Sequence, residues 1–185
     1  MKINCIIGQA GSGKSTFINE NFPKDDHIFF NVGKILRSMF SCLRNHQENK
    51  NVWEFANPLV YGIFKQCCNV SKSTGYDIVL DGFPRDSVQL SHLNRYLSTP
   101  SLGKVSVCIH ALDINRDEQA KRISDRDGIL DDYQEKRIDQ SRDDFEQILD
   151  GLERIFINGK SRIDYRIIWY NQVDGGFVIS RESSN

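Results

Sequence analysis

The chain has 185 residues, of which 39% are hydrophobic and 26% charged, and its net charge is -1. This balance fits one globular domain with a single core, and the small net charge gives no bulk electrostatic case for nucleic-acid binding. The five cysteines show no C-x-x-C spacing, and no run of about 18 apolar residues occurs. We therefore expect no disulfide framework, zinc cluster or membrane span, and a cytoplasmic location.

Short β-rich runs alternate with longer helical patterns along the chain, which predicts an α/β fold with a mostly parallel sheet. We predict five strands, at Ile3–Ile7, His27–Phe30, Asp77–Leu80, Val105–Ala111 and Arg166–Tyr170. The helical patterns cover Lys14–Asn21, Gly33–Leu43, Asn57–Val70, Ser87–Leu97, Arg116–Arg126 and Tyr133–Asn158. The C-terminal segment SRESSN is predicted to be frayed.

The first predicted strand runs directly into a glycine-rich loop. The segment GQAGSGKST, Gly8–Thr16, has the Walker A spacing G-x-x-x-x-G-K-S and is followed by a helical pattern, as this motif requires. Glycines let the loop turn backbone N–H groups toward phosphate oxygens, and the helix N-terminus adds positive potential. Lys14 is expected to reach the β- and γ-phosphates, and the Ser15 hydroxyl to help hold Mg²⁺. The expected ATP-binding residues of this segment are Gly11, Ser12, Gly13, Lys14, Ser15 and Thr16.

A second motif, IVLDGFPRDSVQ, includes the end of the third predicted strand. The strand places Asp81 at its carboxyl end, where ligands bind in open α/β sheets, and Asp81 can hold a magnesium-bound water beside Ser15. After the turn Gly82-Phe83-Pro84, Arg85 offers a planar fork to a phosphate. Gln89, one helical turn later, offers a donor and an acceptor suited to a base edge, although a solvated helix residue is the alternative reading.

A cluster of arginines follows between residues 120 and 142. Arg122 and Arg126 are four apart, on one face of a helix, and Arg137 begins the next helix after an acidic turn. A solvated helix face with ion pairs to nearby aspartates is one interpretation. Because a phosphate loop stands in the same chain, we favour a role in phosphoryl transfer, which needs positive charge around the moving group.

Through Gly8–Thr16 and Asp81-Gly-Phe-Pro-Arg85, with Gln89 four residues on, the chain resembles the adenylate kinase family of nucleoside monophosphate kinases. The resemblance extends over most of the chain. It implies a P-loop NTPase fold, a three-layer α/β/α sandwich with a five-stranded parallel sheet. It also implies one domain with a helical monophosphate-binding insertion at about residues 32–62 and a short lid at about 126–137.

On the acceptor side, the resemblance assigns roles to further residues. In the segment NVGKILRSMF, Arg37 matches the family's phosphate-binding arginine, and Val32 stands where adenylate kinases usually have Thr. Leu59 and Val60 match a pair whose backbone lies near the base of the monophosphate. The full set of residues implied for substrate binding is Val32, Arg37, Leu59, Val60, Gly82, Phe83, Arg85 and Gln89.

On the donor side, the resemblance places Arg122 against the ATP adenine, Arg126 near the ATP phosphates and Arg137 on the transferring phosphate. The sequence departs from the family in two places. It has GIL before Asp131-Asp132, where short-lid adenylate kinases usually have another arginine, and it has Ser15 where the family has Gly. The expected catalytic residues are Lys14, Arg85, Arg126 and Arg137, and the expected metal-binding residues are Ser15 and Asp81.

The predicted function is reversible, Mg²⁺-dependent phosphoryl transfer from ATP to a nucleoside monophosphate, with AMP preferred because related UMP/CMP kinases usually carry Asn where this chain has Gln89. Val32 removes a hydroxyl near the base, so another base or a deoxynucleotide stays open, as does GTP as donor. A P-loop kinase for a different small acceptor and an ATP-binding regulator with little turnover are the alternatives. We expect small-molecule nucleotides as partners, no nucleic acid or membrane, and a monomer.

Overall fold

Six strands and six α-helices occur in the part of the chain that the computed structural model describes, residues 1–39, 50–128, 130–157, 163–173 and 176–184. The strands are β1 Lys2–Gly8, β2 His27–Asn31, β3 Asp77–Asp81, β4 Val105–Asp113, β5 Ile163–Val173 and β6 Gly176–Ser184. The helices are α1 Lys14–Asn21, α2 Val32–Met39, α3 Lys50–Thr74, α4 Ser87–Leu97, α5 Arg116–Asp127 and α6 Asp132–Ile157. A 3-10 turn at Pro100–Leu102 precedes β4.

The strands form one sheet in the order β2-β3-β1-β4-β5-β6. The first five pair in parallel, and β6 pairs antiparallel with β5. The prediction of five parallel strands is therefore corrected to six strands, of which the last is antiparallel. The prediction that the C-terminal segment is frayed is also wrong, because Ser180–Ser184 belongs to β6. Most β6 side chains are exposed, so this edge strand lacks the hydrophobic alternation that identifies a strand in a sequence.

Hydrophobic residues on the two faces of the sheet form two separate cores. On β1, Ile3 and Ile7 join one core and Ile6 joins the other, as the two-residue period of a strand requires. The first core is completed by side chains of α3, α4 and α6, and the second by Phe17 and Ile18 of α1. Helices thus lie on both faces of the sheet. None of the described helices is both long and apolar enough to cross a membrane.

The two segments expected to be mobile parts of the binding site are described in part. The expected insertion begins with α2, which starts at Val32, and includes the first half of α3; residues 40–49 between them lie outside the described residues. The expected lid, at about residues 126–137, includes the end of α5, the connection 128–131 and the beginning of α6, and residue 129 is outside the described part. Both assignments stay predictions.

The carboxyl ends of four parallel strands meet at one edge of the sheet. The register places Asp81 of β3 opposite both Ile6 of β1 and Asn31 of β2, and it pairs Gly8, the last residue of β1, with Leu112 of β4. Ligands bind at this edge in open α/β sheets. The glycine loop and the second motif, which lie far apart in the sequence, are brought together there.

His110 of β4 is buried in the second core, where its imidazole lies against the rings of Phe17 and Tyr170. Its Nδ1 is 3.0 Å from the Tyr170 hydroxyl. Burial, helped by the positive charges of Lys2 and Arg166, lowers the pKa of His110 from 6.5 to about 4. The folded protein therefore holds this imidazole neutral at a pH where the unfolded chain protonates it.

We expect the variant His110→Leu to lose part of the pH dependence of stability. Between the unfolded pKa of 6.5 and the folded pKa of about 4, the unfolded chain binds the extra proton, so the free energy of unfolding falls as pH falls. The loss for the wild type is up to about 3 kcal/mol across this window. Urea unfolding of both proteins at about pH 7.5 and about pH 4.5 measures it. Equal losses in the two proteins would contradict the assignment.

Candidate functional site

The loop between β1 and α1 requires glycine at two positions for steric reasons. A Cβ on Gly8 would lie 2.6 Å from the carbonyl oxygen of Leu112. Gly13, the N-cap of α1, has a φ of 83°, and a Cβ there would lie 3.0 Å from Cζ of Phe177. The first turn of α1 contains no acidic side chain, so the helix's own residues do not neutralise its positive N-terminal end. This geometry suits an anion such as a phosphate chain.

Lys14 places its ammonium group inside the loop. Its Nζ donates to the carbonyl oxygens of Gly8 and Gln9 at 2.9 and 2.7 Å, and to the Ser12 hydroxyl at 3.4 Å. Ser12 is itself buried. Ser15, on the next position of α1, is exposed, as is Thr16. The ammonium group of Lys14 is thus enclosed by Gly8, Gln9 and Ser12, and the binding of a triphosphate by this loop stays a prediction.

Four charged side chains act on Lys14 at this site. Burial lowers the pKa of Lys14 to about 8; Asp81 opposes this shift, and Arg85, Arg137 and Arg126 add to it. These residues come from the β3–α4 connection, from α5 and from α6, so the sequence does not make them neighbours. The structure therefore brings together Lys14 and the three arginines that were predicted to be catalytic.

Asp81 has a partner that the sequence interpretation did not include. Asn31, the last residue of β2, donates a short hydrogen bond from Nδ2 to Oδ2 of Asp81. Its Oδ1 accepts from the backbone N–H of Lys34 at 2.6 Å, which is a cap of helix α2. Gly82 follows Asp81 with a φ of 65° and lies beside the aliphatic chain of Lys14. An Asn directly before a helical pattern is a cap signal, and it was the available clue to Asn31.

Gln89 is buried and its side-chain amide is bonded within the protein. Its Oε1 accepts from the backbone N–H of Arg85 at 2.9 Å, and its Nε2 donates to Oδ1 of Asn57 on α3 at 3.2 Å. Its own N–H donates to Asp86, the N-cap of α4. The solvated alternative is wrong because the side chain is buried, and the base-reading role, in which the amide would contact a nucleotide, stays a prediction. Gln89 connects the backbone of Arg85 to α3.

The other residues expected to bind the acceptor lie mostly in the core. Val32, Val60 and Phe83 are fully buried members of the first core, and Phe83 packs on Phe30 and Phe64. Their side chains do not offer a polar group to a ligand, so any contact with an acceptor would be through backbone or packing. Leu59 is partly buried. Arg37 belongs to α2, but its side chain lies outside the described residues.

A cavity of about 620 Å³ adjoins the loop on the side of α5. Its lining residues include Asp113, Glu118, Arg122, Arg142, Asn171 and Gln172. Arg122 donates from Nε to Oε1 of Glu118 at 2.8 Å and from Nη1 to the carbonyl oxygen of Gly11 at 3.3 Å. Arg122 therefore joins the cavity wall to the glycine loop. Its expected role against the donor base stays a prediction.

Comparison with known proteins supports the fold and gives no family. No protein-family model and no curated protein matches the chain. It is similar to a chain of the Pnkp1/Rnl/Hen1 complex, with 18% identity and a TM-score of 0.50 over 65% of this chain and 38% of that one. A structure of the Pnkp1/Rnl/Hen1 RNA repair complex gives 17% identity and a TM-score of 0.54 over 83% of this chain and 45% of that one. A structure of the PezAT chromosomal toxin-antitoxin system of Streptococcus pneumoniae gives 16% identity and a TM-score of 0.59. The match covers 97% of this chain and 70% of that one.

The likeness shows the fold. The chain is a mixed α/β protein with a six-stranded, mostly parallel sheet, and its fold is similar to that of these neighbours. It spans 38% of the length of the first of them, so their activities and partners do not carry over. The resemblance to adenylate kinases is corrected by these findings, because the similar structures come from a toxin-antitoxin system and an RNA repair complex. The preference for AMP, which depended on Gln89 reading a base, is likewise not supported.

Proposed function

We propose that the protein is a Mg²⁺-dependent phosphotransferase that transfers the γ-phosphoryl group of ATP to a small acceptor carrying its own phosphate. One observation carries the proposal: Lys14 lies in the glycine loop with Asp81, Arg85, Arg126 and Arg137 close enough to shift its pKa. Phosphoryl transfer depends on positioning and on positive charge around the moving group, and these residues supply both.

The residues around the loop fit a magnesium nucleotide. Oxygen ligands suit Mg²⁺, which proteins usually bind through one or two side chains together with phosphates of the substrate. The Ser15 hydroxyl and the Asp81 carboxylate are the side chains that would hold it, and bound Mg²⁺ would neutralise part of the phosphate charge. The loop N–H groups and Lys14 would bind the phosphates. The cavity beside Arg122 is large enough for the remainder of the donor nucleotide.

The charge at the site favours an anionic acceptor. Three of the four charged side chains that act on Lys14 are arginines, and the fourth is the Asp81 carboxylate. A guanidinium group binds a phosphate through two parallel hydrogen bonds, so arginines at this place suit an acceptor that carries a phosphate of its own. Arg85 follows directly from the turn after β3 and is exposed, so its guanidinium can form a bidentate contact with such a group. Nucleoside monophosphates are the first class to test.

The test is a coupled assay of ADP formation with ATP and Mg²⁺ against AMP, dAMP, GMP, CMP, UMP, dTMP and an RNA oligonucleotide. RNA is included because one similar structure is an RNA repair complex. Acceptor-dependent ADP formation with a monophosphate, and a diphosphate product by chromatography, is the expected result. Transfer to the RNA oligonucleotide and to none of the monophosphates would show that the acceptor is RNA and not a small molecule. Tight ATP binding without any transfer would favour a regulator with little turnover.

We expect Gln89→Leu to lower transfer to every acceptor by a similar factor, about 10 to 100-fold. The substitution removes two hydrogen bonds and leaves the N–H of Arg85 and Oδ1 of Asn57 without these partners, so Arg85 is held less well. The measurement is kcat/KM for one purine and one pyrimidine monophosphate. A loss confined to the purine would restore the base-reading role. Ser91→Ala, an exposed change on the same helix, is the control.

A further inference from the structure

Asn31 is placed by the sheet beside the carboxylate expected to bind metal. β2 and β3 are parallel neighbours, and the register sets Asn31 directly opposite Asp81. Each is the last residue of its strand. The juxtaposition therefore depends on the regular strand pairing, and it holds the two side chains at the same edge of the sheet as Lys14.

The amide of Asn31 makes two contacts in two directions. Its Nδ2 donates to Oδ2 of Asp81, and its Oδ1 accepts from the N–H of Lys34 at 2.6 Å in the first turn of α2. An Asn is needed for both contacts, because it carries a donor and an acceptor on one short side chain. Ser or Asp can also cap a helix, but Asp has no N–H to donate and Ser is shorter.

The hydrogen bond from Asn31 restricts the orientation of the Asp81 carboxylate, which is expected to bind Mg²⁺. Asp81 acts electrostatically on Lys14, so its carboxylate lies near the phosphate loop. A carboxylate that serves a metal is usually oriented by a hydrogen bond to one of its oxygens, and loss of such a partner weakens metal affinity about 10 to 100-fold. Here that hydrogen bond comes from a residue that is also fixed by the helix it caps.

We propose that Asn31 is a positioning residue that orients Asp81 for Mg²⁺ and couples this orientation to the first turn of α2. The inference rests on the proposed function, because it assumes a magnesium nucleotide in the loop. It goes beyond that function by assigning a role to a residue outside both sequence motifs. Asn31 itself touches neither phosphate nor metal in this assignment.

Calorimetric titration of ADP into the protein, with and without Mg²⁺, tests the metal role. The informative quantity is the factor by which Mg²⁺ raises ADP affinity. We expect Asn31→Ser, which keeps a capping side chain, to reduce that factor about tenfold while Mg²⁺-free ADP affinity stays within about twofold. If Mg²⁺ raised the ADP affinity of Asn31→Ser by the same factor as that of the wild type, the proposal would be overturned. No Mg²⁺ effect in the wild-type protein would instead overturn the proposed function on which it rests.

A double-mutant cycle tests the contact without any nucleotide. Asn31→Asp places a carboxylate against Asp81 and should lower Tm by about 4 °C or more, whereas Asn31→Asp combined with Asp81→Asn restores an amide–carboxylate pair and should recover most of the loss. Asn69→Asp, an exposed change on α3, is the control for added negative charge. Additive effects of the two substitutions would show that the side chains do not interact, and would overturn the proposal even with nucleotide binding intact.

Discussion

The Lys14→Met variant is expected to abolish phosphoryl transfer, with a loss of at least about 10³-fold. The ammonium group contacts the loop backbone directly, since Nζ donates to the carbonyls of both Gly8 and Gln9. A methionine keeps a similar side-chain length but carries no charge to stabilise the transferring group. Activity is measured in the coupled assay with saturating ATP. Lys24→Met, an exposed change beyond the far end of α1, should leave activity unaltered.

Proton uptake provides a second measurement on Lys14 that does not require turnover. At pH 8, a lysine with a pKa of about 8 is half protonated, and a bound polyphosphate would raise that pKa, so ADP binding should take up about 0.5 proton. Calorimetry in buffers of different ionisation enthalpy measures this uptake. It should be absent in Lys14→Met and present in Lys24→Met. Binding by the wild type with no uptake would mean that the pKa of Lys14 in the free protein is not lowered to near 8.

The local parts of the fold could be predicted from the sequence. Helix α1 has the predicted bounds, Lys14–Asn21, because a strand, a glycine loop and a helix follow one another within a short segment. Helix α6 begins and ends within one residue of its prediction, since its apolar positions recur with helical spacing over many turns. Motif and periodicity are properties of neighbouring residues, and they identify elements formed by neighbouring residues.

Other elements depend on contacts that the sequence does not display. The predicted helix began at Asn57, whereas α3 begins at Lys50 and continues through Pro58. β6 is held by backbone pairing to β5 and by cross-strand side-chain contacts such as that of Glu182 with Arg166, which a single sequence does not display. The spacing of Gln89 places it four residues after Arg85, whose backbone N–H it accepts. It could not show that Asn57, from another helix, engages its amide.

Arg85→Ala is expected to lower kcat/KM for transfer by about 10³-fold, the scale seen when an arginine that stabilises phosphoryl transfer is lost. The position of Arg85 is determined on both sides: the turn through Gly82 precedes it, and Gln89 accepts its backbone N–H. Its guanidinium acts on Lys14, so the charge lies near the loop. ADP affinity should stay within about twofold, because the loop is intact and the loss concerns the acceptor and the transferring group.

Arg85→Lys separates the charge of this residue from its geometry. If a phosphate on the acceptor is held by the planar guanidinium fork, lysine should recover less than about a tenth of the lost activity, because an ammonium cannot make the same bidentate contact. Full recovery would mean that position 85 supplies charge alone. Arg95→Ala removes an exposed arginine in the last turn of α4, the helix that follows Arg85, and controls for net charge. Near-normal turnover in Arg85→Ala would remove this residue from the site, and with it the main reason for a phosphate-bearing acceptor.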